Sequence, residues 1–251
     1  MKLAIMKRRG LRGAVDPITA QYDEILATEP AVLFPMNGAD LLEYRGQHLY
    51  WQDAAGTVKA ENIGDPVGGA VDIVAGEILA VQDADANRLV LGEDSIIVDT
   101  SGQHLEFSDA DRTGTRTVLA DFHEDPEVTD DQTIVSHGST GEGWTYRIID
   151  DDPRELDTNH TATAGRLISD IPLGRKNTIW RYDDSAGHAH FLGGSQIGSN
   201  AEIGDAGGEG GNTHIGRERG IGRQFFGRIY KIVLWDSALS DGDCEHLSGL
   251  P

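Results

Sequence analysis

The sequence predicts an all-β protein built as a sandwich of two antiparallel sheets. Short runs of apolar, β-branched and aromatic residues recur along the chain, and several alternate apolar with polar positions, as half-buried strands do. Turn signals separate these runs at spacings of roughly 8–12 residues, which is typical of a sandwich. The composition agrees, because 32 glycines against only eight prolines indicate many tight turns between short strands.

The N-terminal part is expected to be an appendage of two pieces. Residues 1–30 are a basic arm with one weak helix over 17–27, where apolar residues recur at helical spacing. Residues 31–88 are expected to form a small β-rich lead-in segment that helps to anchor the chain, with short β-type runs at 31–34, 48–51 and 71–74.

The sandwich itself is expected over 89–251. Its predicted strands are 89–91, 95–98, 104–107, 116–122, 133–135, 144–149, 166–168, 177–182, 188–192, 214–215 and 225–235. One helix closes the chain, since Ser240 is a favourable N-cap and Gly249 a favourable stop. The Gly-rich stretch 193–211 is predicted to be a long loop.

Charge and composition exclude several classes of function. A formal net charge of −21 repels phosphate, so nucleic acid is not an expected partner. Nothing approaches the roughly 18–20 apolar residues that cross a bilayer, and the basic start lacks the apolar core of a secretory signal.

Cys244 is the single cysteine, so no internal disulfide is expected, and it is predicted to be buried.

The C-terminal stretch carries a family resemblance. An Ile-Gly pair at 215–216 precedes Phe225-Phe-Gly-Arg-Ile229, and Trp235-Asp236 precedes Leu239-Ser240. This order resembles the ending of laminin-G-like and concanavalin A-like domains, and the hairpin at 179–194 is similar to one of theirs. The resemblance covers 89–251 and implies a jelly-roll sandwich in which Gly227 allows a close backbone approach. It implies little about activity.

A second resemblance lies in residues 47–75. The run Trp51-Gln-Asp-Ala-Ala-Gly-Thr57 and the turn Gly64-Asp-Pro-Val-Gly68 are similar to a lead-in segment of tailed-phage structural proteins. The match departs from that pattern at Lys59-Ala60. The resemblance to the phage segment implies a virion component: a head spike, fibre or tail adhesin, or a decoration protein. A virion location, assembly in the host cytoplasm and a homo-oligomer are expected with it.

The resemblance assigns a role to the basic arm. Lys7, Arg8, Arg9 and Arg12 are expected to anchor the chain to other virion proteins, because a basic tail on an acidic body docks onto an acidic surface. A solvated, flexible terminus is the alternative.

Catalytic patterns are nearly absent from the sequence. A retaining glycanase needs two close carboxylates, and the nearest approach, Glu155-Leu-Asp157, lacks the further acid that completes the motif. Neither a G-x-S-x-G elbow nor an H-E-x-x-H helix is present. The chain is therefore expected not to be an enzyme.

Binding residues are proposed from side-chain chemistry. A sugar site needs an aromatic platform and a few amides or carboxylates. The candidates are Trp180, Tyr182, Asn200, Asp205 and Asn212. For the aromatic residues, core packing is the alternative.

Metal ligands are sought in two places. Asp205 and Glu209 offer hard oxygens for calcium in the 193–211 stretch, where an ordinary loop is the alternative, and no other cofactor is expected. His188 and His190 share one face of a strand and could hold a metal, although exposed histidines are commoner than ligands.

The leading hypothesis is a virion surface protein whose sandwich binds a host-surface polysaccharide without cleaving it. A capsid-stabilising decoration protein without a ligand is the second hypothesis, and a polysaccharide hydrolase is the third.

Overall fold

The computed structural model describes residues 16–109, 114–139, 142–149, 154–160, 166–203, 211–218 and 223–251. The helices are α1 (Pro17–Leu26) and α2 (Asp241–Ser248), with 3-10 turns at Gly38–Leu41 and Asp85–Asn87. The strands are β1 (Val32–Pro35), β2 (Glu43–Tyr44), β3 (Gln47–His48), β4 (Tyr50–Trp51), β5 (Pro66–Val67), β6 (Gly69–Asp72), β7 (Glu77–Val81), β8 (Leu89–Leu91), β9 (Ile96–Val98), β10 (Leu105–Asp109), β11 (Arg116–Glu124), β12 (Gln132–Ser139), β13 (Glu142–Ile149), β14 (Glu155–His160), β15 (Leu167–Asp170), β16 (Lys176–Asp183), β17 (Gly187–Leu192), β18 (Ser195–Asn200), β19 (Gly211–Ile215) and β20 (Gly227–Trp235).

The strands form two antiparallel nine-stranded sheets. The first sheet has the order β18-β17-β16-β11-β20-β9-β8-β5, with β1 also paired to β20. The second has the order β15-β14-β13-β12-β19-β10-β7-β6-β4, and β2 and β3 make a separate hairpin. The predicted all-β sandwich is therefore confirmed.

The N-terminal part belongs to the same two sheets. Strand β1 pairs with β20, so that Val32 lies opposite Leu234, and β6 pairs with β7, which in turn pairs with β10. Strands from both sides of residue 89 therefore pair in the same sheets, and the expected division into an N-terminal part and a sandwich stays a prediction. Helix α1 matches its prediction, with Asp16 as N-cap, and Tyr22 on it is fully buried.

Aromatic residues join the two sheets across the core. The rings of Phe34 on β1 and Phe107 on β10 have centroids 5.3 Å apart. Those of Trp144 on β13 and Trp180 on β16 are also 5.3 Å apart. All four rings are buried, and such large rings supply much of the apolar area that stabilises the sandwich.

Both helices lie against the outer face of the first sheet. The indole of Trp235 donates to the Thr28 hydroxyl, just after α1, at 3.0 Å. The amide of Asn177 donates to the Leu247 carbonyl of α2 at 2.8 Å. With both of its faces covered, β16 is buried over five consecutive residues instead of alternating.

The closing motif folds as predicted. Ser240 caps α2 through a 3.1 Å hydrogen bond from the Asp243 amide, and Cys244 is buried. Gly227 has a φ of +138°, and a β-carbon there would collide with the His123 carbonyl oxygen, so glycine permits this close approach. Among the described residues, no helix combines the length and apolar character needed to cross a bilayer.

One predicted loop is partly a strand. The 193–211 stretch was expected to be irregular, yet Ser195–Asn200 forms β18 at the edge of the first sheet. The strand could not be recognised from its polar sequence, because an edge strand with exposed side chains needs few apolar residues.

Candidate functional site on the outer face of the second sheet

A polar row crosses the outer face of the second sheet. Glu106 on β10 lies opposite His214 on β19, His214 lies opposite Ser136 on β12, and Ser136 lies opposite Thr145 on β13. Their neighbours along the strands, such as Leu105, are buried in the core, so strand alternation directs this row outward. We call Glu106, His214, Ser136 and Thr145 the polar row.

Two short segments, 216–218 and 223–224, pair with each other beside the polar row. The Ser136 hydroxyl donates to the Arg217 carbonyl at 2.9 Å. The segments are held together by a 2.9 Å hydrogen bond from the Glu218 amide to the Arg223 carbonyl and by a 2.9 Å ion pair between the Glu218 and Arg223 side chains. Ser136, Thr145 and His214 are almost buried, while the Glu106 side chain remains 39% exposed.

His104 joins Glu106 and His214 at one end of the polar row. The Glu106 Oε2 atom lies 3.4 Å from Nδ1 of His214 and 3.8 Å from Nε2 of His104. One ligand atom from each of the three side chains can be chosen so that all three lie within 4.8 Å of one another. Two imidazoles and a carboxylate thus converge on one point.

The environment lowers the pKa of His104. Burial lowers the pKa of this imidazole, and the positive charge of Arg217 lowers it further, while the Gly102 carbonyl and Glu106 act in the opposite direction. A neutral imidazole offers one nitrogen lone pair for a ligand.

The structure separates the predicted amide residues. Asn212 lies on β19 two residues before His214, so the two share the outer face beside the polar row. Asn200 lies at the end of edge strand β18, where its amide donates to the Arg166 carbonyl at 3.1 Å. Asn212 and Asn200 therefore cannot contact one small sugar together, since β19 is the fifth strand from its own sheet's edge.

Several predicted residues lie outside the described part of the chain. They are Asp205 and Glu209, expected to bind calcium, and Lys7, Arg8, Arg9 and Arg12, expected to anchor the arm. Their roles stay predictions.

The predicted aromatic platform requires a correction. Trp180 and Tyr182 are 0% and 1% exposed, and Trp180 packs on Trp144 of the opposite sheet. The Arg116 guanidinium lies 5.9 Å from the Trp180 ring centre and 5.7 Å from that of Tyr182. A platform must face solvent to stack on a sugar, and these rings belong to the core instead.

His188 and His190 are also core residues and not an exposed metal pair. The Trp180 indole donates to Nδ1 of His188 at 3.1 Å. The His190 ring nitrogens lie 3.0 Å from the hydroxyls of Thr158 and Ser169. Burial, followed by the charge of Arg116, lowers the pKa of His188 to about 4, and burial lowers that of His190 to about 3.

The carboxylate pair near residue 155 does not form a catalytic dyad. Asp157 is fully buried and pairs with Arg147 at 2.5 Å and with Arg166 at 2.8 Å. Two guanidinium partners thus occupy this carboxylate, which serves in an ion-pair cluster.

Sequence reasoning missed His104, Glu106 and His214. The His-x-Glu spacing at 104–106 was the only local signal, because residues two apart on a strand share a face. The third member is more than a hundred residues away, and only the pairing of β10 with β19 brings it close.

Comparisons with known proteins show structural likeness only. No protein-family model matches the chain, and no curated protein matches it. A heptameric SAP-like pentraxin from Limulus polyphemus is 18% identical with a TM-score of 0.46, covering 61% of this chain and 79% of that one. The CBM40 of a Ruminococcus gnavus sialidase is 15% identical with a TM-score of 0.46, and the match covers 55% of this chain and 84% of the CBM40.

A stronger likeness is to Trypanosoma rangeli sialidase. In its complex with the inhibitor DANA it is 12% identical with a TM-score of 0.56, and the match covers 93% of this chain but only 37% of the sialidase. At this identity the likeness shows the fold alone, in agreement with the predicted concanavalin A-like sandwich. It contradicts the expectation that the chain is not an enzyme, since that fold occurs within a sialidase chain, and we withdraw that expectation.

Proposed function

We propose that the protein binds carbohydrate on the outer face of the second sheet, beside Glu106, His214 and Asn212. The observation that carries this proposal is that Glu106 and Asn212, both partly exposed, lie near each other on paired strands, on a face that no described helix covers. Sugar hydroxyls need such a set of fixed donors and acceptors.

The side chains have complementary chemistry for this role. The Glu106 carboxylate accepts hydrogen bonds from two neighbouring hydroxyls, and the Asn212 amide both donates and accepts. Glu106 and Asn212 are the two side chains here that solvent reaches. The Glu106 side chain is 39% exposed, and Asn212 is half-buried. Rigid strands hold both, which lowers the entropy cost of binding.

The lectin-like neighbours are compatible with a sugar-binding role. The Ruminococcus gnavus CBM40 was determined with sialyllactose bound, and the sialidase with an inhibitor bound. These ligands belong to those proteins, so the glycan of this chain must be found by experiment.

The setting we propose is the surface of a virion that recognises a host-surface polysaccharide. The support is the similarity of residues 47–75 to a phage lead-in segment and the basic arm at the N-terminus. The comparisons add nothing to this setting. Because α1 packs on the sandwich, attachment to other virion proteins is assigned to residues 1–15, and self-assembly into a homo-oligomer is part of the same proposal.

The test is binding of the whole chain to a panel of bacterial surface polysaccharides, followed by two variants. Glu106→Gln and Asn212→Ala should weaken binding of the selected glycan at least about tenfold, the effect of losing about 1.4 kcal/mol. Glu127→Gln is the matched control, because Glu127 is an exposed carboxylate outside this face. Equal binding by all variants, or no binding to any glycan, would refute the assignment and favour the decoration role. Release of new reducing ends would indicate a hydrolase.

A further inference from the structure

We propose that His104, Glu106 and His214 form a binding site for a divalent transition-metal ion of the zinc type. The inference is independent of carbohydrate binding. It rests on the convergence of two imidazoles and one carboxylate, a donor set that suits such ions when a fourth position is left for water.

The spacing of the donor atoms fits a small ion. Ligands about 2.0–2.1 Å from a tetrahedral zinc ion lie about 3.3–3.4 Å from one another. The Glu106 Oε2 atom is 3.4 Å from Nδ1 of His214 and 3.8 Å from Nε2 of His104. A shift of either side chain by a few tenths of an ångström would bring the distance between Glu106 and His104 into the same range.

A backbone carbonyl orients His104 for metal binding. Its Nδ1 atom lies 2.7 Å from the Gly102 carbonyl oxygen, which can only accept a hydrogen bond. The proton is thereby placed on Nδ1, and Nε2 keeps its lone pair, 3.8 Å from Oε2 of Glu106. Metal-binding histidines characteristically donate their other ring N–H to such a group.

The sheet fixes the other two ligands. Glu106 and His214 are direct partners in the register of β10 and β19, so their β-carbons are held about 4.5–5.5 Å apart. His104 is held by the hydrogen bond from its amide to the Asn87 carbonyl, at 3.1 Å. Three of four positions around an ion would thus be filled by side chains on a backbone held by hydrogen bonds, and the exposed side of Glu106 leaves water access to the fourth.

Two neighbours oppose binding and limit its strength. The amide nitrogen of Gln82 lies 2.9 Å from Nε2 of His104, and an ion must displace it. Arg217 places a positive charge near the imidazole, which also repels a cation. We therefore expect a dissociation constant on the order of micromolar, weaker than that of structural zinc sites.

Ligand chemistry predicts the selectivity. Imidazole nitrogens suit Zn²⁺, Co²⁺ and Ni²⁺, whereas Mg²⁺ and Ca²⁺ require sets of oxygen ligands. Zinc should bind with one saturable equivalent, and calcium should not compete for it.

The experiment is calorimetric titration of Zn²⁺ into the whole chain, freed of metal by chelator, at about 0.15 M salt to screen the acidic surface. Glu106→Gln and His214→Gln should each weaken zinc binding at least tenfold. His246→Gln is the control, because His246 is an exposed histidine that pairs with Glu24 and should leave binding unchanged. Titration with Co²⁺ should give the visible absorption of tetrahedral coordination in the unaltered chain and in the control.

The outcomes separate clearly. Absence of a saturable equivalent of zinc would overturn the proposal, as would equal binding by Glu106→Gln and the unaltered chain. Loss of binding in His246→Gln would place the ion elsewhere and also overturn it. Glu106→Gln keeps the test valid if His214→Gln fails to fold, because the Glu106 side chain is partly exposed and its replacement disturbs the core little.

Discussion

The buried charges on the first sheet provide a sharp test of the fold's energetics. Asp121 and Lys231 are both 0% exposed and lie on adjacent strands β11 and β20. The Lys231 Nζ atom is 3.4 Å from Asp121 Oδ2. Arg175 binds the same carboxylate with two hydrogen bonds of 2.7 and 3.0 Å, and its side chain is 43% exposed. The carboxylate thus has two partners, and only one of them can reach water.

Replacing the carboxylate should cost much more than replacing the lysine. Asp121→Asn removes the carboxylate that pairs with the buried Lys231 ammonium and leaves it the Pro251 oxygen, 3.4 Å away, as an acceptor, so we expect a loss of about 3–5 kcal/mol. That loss lowers the melting temperature by about 6–20 °C in a chain of this size. Lys231→Met leaves Asp121 paired with Arg175, so we expect about 1 kcal/mol or less in either direction.

The double variant tests the reasoning directly. In Asp121→Asn with Lys231→Met no buried ammonium remains, so it should be more stable than Asp121→Asn alone by about 2 kcal/mol or more. Urea unfolding curves at pH 7 measure all four proteins. A double variant less stable than either single one would refute the idea that the orphaned lysine causes the loss.

The ionisation of Lys231 also sets the sign of the pH dependence of the unfolding free energy in Asp121→Asn. Burial lowers the pKa of Lys231, and the charge of Asp121 opposes that effect. Removing Asp121 should lower the folded-state pKa further below the unfolded value of about 10.4. The native state then binds fewer protons, so the unfolding free energy of Asp121→Asn should rise with pH between those two pKa values. A flat profile would show that Lys231 finds another partner.

Three further outcomes are expected. Trp180→Ala should cost about 3–5 kcal/mol by urea unfolding, because it empties the core site against Trp144, and a cost below about 1 kcal/mol would contradict the packing. The pKa values of His188 and His190, about 4 and about 3, lie below the unfolded value, so the unfolding free energy should fall as pH drops from about 6.5 towards 4, by up to about 1.4 kcal/mol per pH unit for each histidine. His190→Gln should make that fall shallower, measured as urea midpoints between pH 7 and 4.5. Burial raises the pKa of the Cys244 thiol to about 12, so maleimide should label the native chain at least about 100-fold more slowly than the urea-unfolded chain, and equal rates would mean an exposed thiol.

The local features could be predicted because each depends on a short stretch of sequence. Strand alternation and the N-cap at Ser240 need only a few neighbouring residues. The N-terminal helix followed in the same way from the spacing of its apolar residues.

Periodicity could not tell which side of a strand meets water. Trp180 and Tyr182 were correctly placed on one face of β16. That face is the inter-sheet core, and the opposite face is covered by the helices, so neither is free for a sugar. A strand buried on both sides has no outer face for alternation to reveal.

The sequence by itself determined the all-β class, the strand succession and the closing helix, since these arise from local alternation, turn residues and caps. Only the tertiary structure decided that β1, β6 and β7 join the sandwich and that His214 meets His104 and Glu106. The physical reason is that strand partners are chosen by the burial of whole faces. Side chains that are distant in the chain then meet through the register of backbone hydrogen bonds, which no single segment specifies.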